Sequence, residues 1–79
     1  MVRLPRDVRP RDLIRALRSY GFEETRQSGS HIVLKHPGPP EFSVAVPNHV
    51  TIKAGTLHSI LSAVAGHLRI EISEIAAKL

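Results

Sequence analysis

Apolar residues recur every three or four positions between residues 10 and 20 of this chain, as they do along one face of a helix. The opposite face carries three arginines: Arg11, Arg15 and Arg18. Pro10 suits the first helical turn, where its missing N–H costs nothing, and Gly21 suits the position that ends the helix. The pattern predicts an amphipathic first helix with guanidinium groups outside, preceded by an irregular arm over residues 1–8.

The pattern then changes to alternation, which is typical of strands that bury one face. A first strand is predicted over residues 22–27. A second, over residues 31–36, places Ile32 and Leu34 towards the core. Its opposite face carries His31, Val33 and Lys35. A third strand, over residues 42–46, alternates in the same way, and the short turns between the strands indicate an antiparallel meander.

Helical spacing returns in the C-terminal part of the chain. The first of two helices ends near Gly66 and has these apolar positions: Leu57, Ile60, Leu61 and Val64. The second is shorter and has these: Ile72, Ile75, Ala76 and Leu79. The order α-β-β-β-α-α predicts an α+β fold in which helices cover one face of a three-stranded antiparallel sheet and the other face stays open. Since no repeat or linker interrupts it, residues 1–79 are predicted to form a single domain.

The turn before the second strand brings a histidine to the open face. Ser28-Gly29 has the composition of a tight turn, because glycine adopts positive φ without a Cβ clash. His31 follows at the start of the strand, where its imidazole can reach a bound substrate. A lone histidine on a strand is usually only a surface residue, so its position alone does not establish a role.

The formal net charge of +4 is concentrated at the N-terminus. Residues 1–18 carry six arginines against two aspartates, whereas the rest of the chain is balanced. Arginine forks match phosphate oxygens, so this segregation is typical of a nucleic-acid contact. A solvated helix face remains the alternative. Aromatic residues make up only 4% of the chain, which argues against bases stacked along an aromatic row.

Several classes of protein are excluded by what the sequence lacks. Without cysteine there are no disulfides or thiolate metal sites, and the remaining histidines lack the spacing of a zinc site. We interpret His36, His58 and His67 as surface residues and expect neither metal nor cofactor. No apolar run approaches the length of a membrane span, and the basic N-terminus lacks the apolar core of a signal peptide. A cytoplasmic protein without a membrane partner is expected.

Three short motifs in this order resemble the HicA toxin family. They are Arg26-Gln27-Ser28-Gly29-Ser30-His31, Val46-Pro47-Asn48-His49 and Gly55-Thr56-Leu57. The resemblance implies a small ribonuclease, similar in fold to the double-stranded RNA-binding domain, that cleaves mRNA until a HicB-type antitoxin protein blocks it. It places the catalytic histidine on His31 and the supporting glycine on Gly29. Ile32 stands where many members have a second histidine, and Ala54 where many have proline.

Metal-free RNA cleavage needs a base, an acid and stabilisation of the added negative charge. His31 suits the first or second role, and Arg26 or Lys35 the third. Ser30 supports the turn backbone, because nothing suggests the orienting group that a serine nucleophile requires. His49 either assists or contacts phosphate, or only caps the next helix.

The first-helix arginines are predicted to hold the RNA backbone. A non-catalytic RNA-binding module and an inactive relative of the toxins are the alternatives, and an adjacent reading frame of HicB type would discriminate between them and a toxin.

Overall fold

The structure, a computed structural model, describes residues 4–79 and has the predicted order of elements. These are α1 (Pro10–Arg18), β1 (Glu23–Ser28), β2 (His31–His36), β3 (Phe42–Pro47), α2 (Ala54–Leu68) and α3 (Ile72–Ala76). The strands form one antiparallel sheet in the order β1-β2-β3. The predicted α+β fold is thus confirmed; of the predicted arm, positions 1–3 lie outside the described residues.

Helix α1 begins and ends as its sequence predicts. Pro10 is the first helical residue, after an extended Arg9. At the other end Gly21 has a φ of +97°, and the N–H of Phe22 donates to the carbonyl of Leu17 at 3.2 Å. The N–H of Gly21 donates to the carbonyl of Arg18 at 3.0 Å, which completes a Schellman ending. This turn leads the chain directly into β1 and buries Phe22.

Strand β2 lies at the centre of the sheet and divides its two faces. Ile32 and Leu34 are buried, whereas His31 on the alternate face is exposed. Val44 and Val46 of β3 pair with them and are buried too. The predicted facing of both strands is therefore confirmed.

All three helices contribute to a core on the Ile32 face of the sheet. The largest fully buried side chains are Leu13, Leu17, Phe22, Leu34, Val46, Leu57, Leu61, Val64 and Ile75. The arm joins this core as well, because Val8 is buried and its carbonyl accepts the N–H of Ile52 at 2.8 Å. Ser43 and Ala45 of β3 are exposed on the opposite face of the sheet, which the helices leave open.

The predicted end of α2 near Gly66 is wrong. The helix continues to Leu68, and Arg69 takes the left-handed conformation with a φ of +59°. The N–H of Ile70 donates back to the carbonyl of Ala65 at 3.0 Å. Leu68 and Ile70 pack against the core, and this packing outweighs the tendency of glycine to end a helix. Among residues 4–79, none of the helices combines the length and apolar character that crossing a membrane requires.

The interpretation of His36 and His67 as surface residues is also wrong. Both are half-buried, with His67 Nε2 3.0 Å from His36 Nδ1. The His67 ring also stacks on Phe42, with the ring centroids 4.7 Å apart. The partners are far apart in sequence, so periodicity does not reveal the pair. His58, in contrast, is exposed as predicted.

Candidate functional site

The hairpin turn between β1 and β2 fixes the position of His31. Ser28 pairs with His31 across the hairpin, so Gly29 and Ser30 form a two-residue turn. Gly29 has a φ of +58° and Ser30 a negative one, the combination found in a type II′ turn. A Cβ added to Gly29 would meet nothing within 4 Å. Glycine is therefore required here for its backbone conformation and not for space, and the predicted supporting role of Gly29 has a physical basis.

His31 stands on the open face with short neighbours on both sides. Ser28 of β1 and Pro47 of β3 lie directly opposite it. Opposed residues in antiparallel strands share a face, with Cβ atoms about 4.5–5.5 Å apart. Within the described part of the chain, no side-chain hydrogen bond or ion pair engages the imidazole. The imidazole is thus available to a bound molecule. The Ser28 hydroxyl beside it is a further candidate to contact that molecule, although the sequence pattern indicated only a turn residue.

Two of the sequence motifs meet beside His31. The N–H of Asn48 donates to the carbonyl of Ser30 at 2.6 Å, which ties the loop after β3 to the hairpin turn. His49, the next residue, is exposed at this end of the sheet. The structure therefore brings the histidine-bearing turn and the Val46–His49 segment together, and Ser30 contributes its carbonyl to this connection.

The register of β1 against β2 determines which side chains share the His31 face. Counted from the hairpin turn, Arg26 lies opposite Val33, and the register shifts only beyond it, at a bulge between Arg26 and Glu24. The Thr25 hydroxyl donates to the Val33 carbonyl at 3.2 Å at this point. Because Val33 lies on the same side of β2 as His31, Arg26 also belongs to the open face. No sequence signal identified the bulge.

Lys35 shares this face but lies at the other end of β2. It is four residues from His31, which corresponds to about 13 Å at about 3.3 Å per residue. Its Nζ is 3.1 Å from the Glu41 carboxylate. Of the two predicted cationic partners of His31, Arg26 is therefore the nearer along the sheet, and Lys35 already has an anionic partner.

The three arginines predicted on α1 line a groove on the other side of the sheet. This arginine groove has a volume of about 920 Å³ and lies between α1 and the helix-facing side of β1. Its helix wall is formed by Arg9, Arg11, Arg15 and Arg18. Arg9 was missed as a site residue because it precedes the helix and so falls outside the helical periodicity. The Asp12–Arg15 ion pair, 3.5 Å long and on the surface, contributes little stability and does not block the groove.

The arginine groove and His31 face opposite sides of the sheet but meet at one end of it. Ile32 lines the groove, whereas its neighbour His31 points to the open face. Asn48 lines the groove too, and its N–H holds the turn that carries His31. A chain that follows the arginines must therefore cross the end of the sheet to reach the imidazole.

Among the residues that the structure describes, the histidines and carboxylates do not gather into a metal centre. In the region from residue 4 to residue 79, no group of three or more histidine, aspartate or glutamate side chains is placed to hold a metal ion. The chemistry that these residues can provide is proton transfer by imidazole and charge stabilisation by guanidinium and ammonium groups.

A family model described as the HicA toxin of bacterial toxin-antitoxin matches residues 10–66. The matched span begins at the first residue of α1 and ends inside α2, so it includes the hairpin turn, His31 and the loop after β3. No curated protein and no solved structure matched the chain.

Proposed function

The chain belongs to the HicA toxin family, which comprises toxins of bacterial toxin–antitoxin systems, and on that premise we propose that it is an endoribonuclease that cleaves mRNA with His31 as its catalytic residue. The observation that carries the proposal is the placement of His31. The side chain is exposed on the open sheet face, beside a turn whose glycine has a left-handed backbone. A histidine held there can touch a flexible polymer that does not fit into a closed pocket.

The proposed reaction needs only groups of the chain and of the RNA. One group removes the proton from the ribose 2′-hydroxyl, whose oxygen then attacks the adjacent phosphorus. The bond from phosphorus to the 5′-oxygen of the next nucleotide breaks, and a second group protonates that oxygen. The products are a 2′,3′-cyclic phosphate and a free 5′-hydroxyl. His31 acts as the base or the acid, and His49, in the loop tied to the same turn, is the candidate for the complementary role.

The added negative charge of the transition state requires a cation close to His31. Arg26 is the better candidate, because it lies on the His31 face opposite Val33, which is two residues from His31 along β2. Lys35 lies farther off and is paired with Glu41, so we assign it a contact with a more distant phosphate. Gly29 and Ser30 have supporting roles: the first keeps the turn conformation, and the second holds the loop that carries His49.

Regulation is proposed to come from a HicB-type antitoxin protein that covers His31. Because the proposed chemistry lies on an open sheet face, a partner on that face would exclude RNA directly. Carboxylates on such a partner would pair with Arg26 on that face, and with the arginines of α1 where the partner also extends around the end of the sheet, which would make the association sensitive to salt.

A non-catalytic RNA-binding module, or an inactive relative of the toxins, is the second candidate. The observation that favours it is the absence, within residues 4–79, of a side-chain partner that orients His31. A surface that only binds RNA needs the arginines but does not need a catalytic histidine.

Incubation of the purified chain with end-labelled single-stranded RNA tests the two candidates. We expect fragments with 2′,3′-cyclic phosphate ends, and we expect them equally in excess chelator because His31 needs no metal for proton transfer. RNA that is bound but stays uncut would support the binding module. Cleavage that stops with chelator and returns with one defined divalent ion would contradict the metal-free reaction.

A further inference from the structure

The chain has one glutamine and one asparagine, and both line the arginine groove. Gln27 lies near the end of β1, and Asn48 lies in the loop that follows β3. Both residues are exposed. The only two carboxamide side chains of the protein therefore belong to the same groove, opposite its arginine wall or at its end.

The hairpin register places Gln27 on the groove side of the sheet. On a regular strand Glu24 and Arg26 would share a face, but the register shift puts Glu24 and Gln27 opposite Leu34 and Ile32. These two partners are buried on the helix side of the sheet. On a strand paired regularly from the hairpin turn, Glu24 would lie opposite Lys35 on the open face, whereas Gln27 would still lie opposite Ile32. The hairpin therefore aims a carboxamide at α1, and the bulge brings Glu24 to the same side, in the way that bulges often redirect side chains next to functional sites.

The two walls of the groove differ in chemistry. Among residues 4–79, the helix wall carries four arginines, whereas the β1 wall carries Gln27 and the one carboxylate of the groove, Glu24. A phosphate is attracted to the helix wall and repelled by Glu24, which leaves the β1 wall to the uncharged part of a nucleotide. At about 920 Å³ the groove is near the upper end of the range of ligand sites, about 300–1,000 Å³, and has room for more than a phosphate group.

We propose that the arginine groove reads the bases of single-stranded RNA, with phosphates on the helix wall and base edges hydrogen-bonded to Gln27 and Asn48. A carboxamide presents a donor and an acceptor side by side, and this pair matches the edge of adenine. On the edge that a duplex turns to its major groove, adenine is the base that offers a donor and an acceptor together, N6–H and N7, so adenine is the base that the groove selects. Sequence-specific proteins read RNA in single strands, where base edges are free to turn towards side chains.

The link between Asn48 and the hairpin turn connects the selection of a base in the groove to the position of His31. The Asn48 N–H bonds to the Ser30 carbonyl, one residue before His31. A base held in the groove thus lies a short distance along the RNA from the phosphate at His31. This consequence rests on the proposed ribonuclease function and makes the groove the part of the molecule that chooses the cleavage site.

Binding in the absence of cleavage tests the groove separately from the nuclease function. The probe is a set of labelled uridine heptamers whose central nucleotide is adenine, guanine, cytosine or uridine, titrated onto the full chain carrying His31→Ala. We expect the adenine oligomer to bind roughly tenfold more tightly than the uridine one, since a bidentate contact gives discrimination of about this size. Adding Gln27→Leu should remove most of this preference, and Asn48→Ala should reduce it.

Two further variants serve as controls. Glu23→Leu changes a side chain on the opposite face of the same strand, opposite Lys35, and should leave the order of the four oligomers unchanged. Arg15→Gln should weaken binding of all four alike. Equal binding of the four oligomers, or a preference that survives in both the Gln27→Leu and the Asn48→Ala chain, would overturn the proposal. If RNA does not bind and a partner protein binds in the groove instead, the groove would be a site of protein recognition. Failure of the original chain to cut RNA would refute the nuclease function and leave this binding result standing.

Discussion

Replacing Gly29 by alanine isolates the backbone requirement of the turn before His31. Because an added Cβ meets nothing within 4 Å, the substitution creates no clash and acts only through the φ of +58°. An L-residue other than glycine loses about 1–2 kcal/mol in this region. The alanine also restricts the unfolded chain, which offsets about 0.4–1 kcal/mol of that loss. A net loss of about 1 kcal/mol is expected, or about 4–8 °C in the thermal midpoint for a domain of this size.

Gly66 provides a matched control for the same chemical change. It lies within α2, and an added Cβ there also meets nothing within 4 Å. Gly66→Ala should therefore stabilise the protein, by about 0.5–1 kcal/mol. Thermal unfolding followed by circular dichroism measures both variants. Equal shifts of the same sign would refute the conformational account of Gly29. Under conditions where both are folded, only Gly29→Ala should slow RNA cleavage, since it alone displaces His31.

Three other predictions follow from the groove, the paired histidines and the open face. Replacing Arg11, Arg15 and Arg18 by glutamine should weaken RNA binding. It should also reduce the slope of log binding constant against log salt concentration by about 2, since each lost phosphate contact on a single strand lowers it by about 0.7. As a control, Arg69→Gln, outside the groove, should leave the slope unchanged. An unchanged slope in the triple variant would show that the three arginines are solvated surface residues that do not contact RNA. His67→Ala should cost about 1–2 kcal/mol in unfolding free energy, because it removes the hydrogen bond to His36 and the stack on Phe42. His58→Ala, exposed on the same helix, should change stability by less than about 0.5 kcal/mol, and equal losses would contradict the role of the pair. Co-expression of an adjacent HicB-type reading frame should restore the growth of cells that produce this chain, and in a footprinting experiment its product should protect residues 26–35. Protection of other residues only would contradict direct covering of His31 and indicate an allosteric effect.

Features with a local cause could be predicted from the sequence, and those that depend on contacts between distant residues could not. The end of α1 at Gly21 and the facing of β2 follow from residues a few positions apart, and both were predicted correctly. The length of α2 depends on how Leu68 and Ile70 pack against the core, so Gly66 misled the prediction. The pairing of His36 with His67 joins two elements and leaves no mark in the periodicity.

The candidate site divides in the same way. The exposure of His31 on the open face was predicted from alternation along one strand and is confirmed. The bulge at Thr25 was not predicted, because it becomes visible only in the register against β2. It decides that Glu24 lies on the same side of the sheet as Gln27, in the arginine groove. The sequence also did not show that the groove and His31 lie on opposite faces of the sheet.

The cleavage rate of the His31→Ala chain tests the central proposal most directly. The side chain is exposed and makes no hydrogen bond or ion pair among residues 4–79, so its removal should leave the thermal midpoint unchanged. Loss of an acid or base should slow RNA cleavage by about 10²–10⁴-fold, while RNA affinity stays close to that of the original chain. His58→Ala, a second exposed histidine, should cut RNA at the original rate. A His31→Ala chain that is folded and cuts RNA as fast as the original would contradict the assignment of His31 as the catalytic residue.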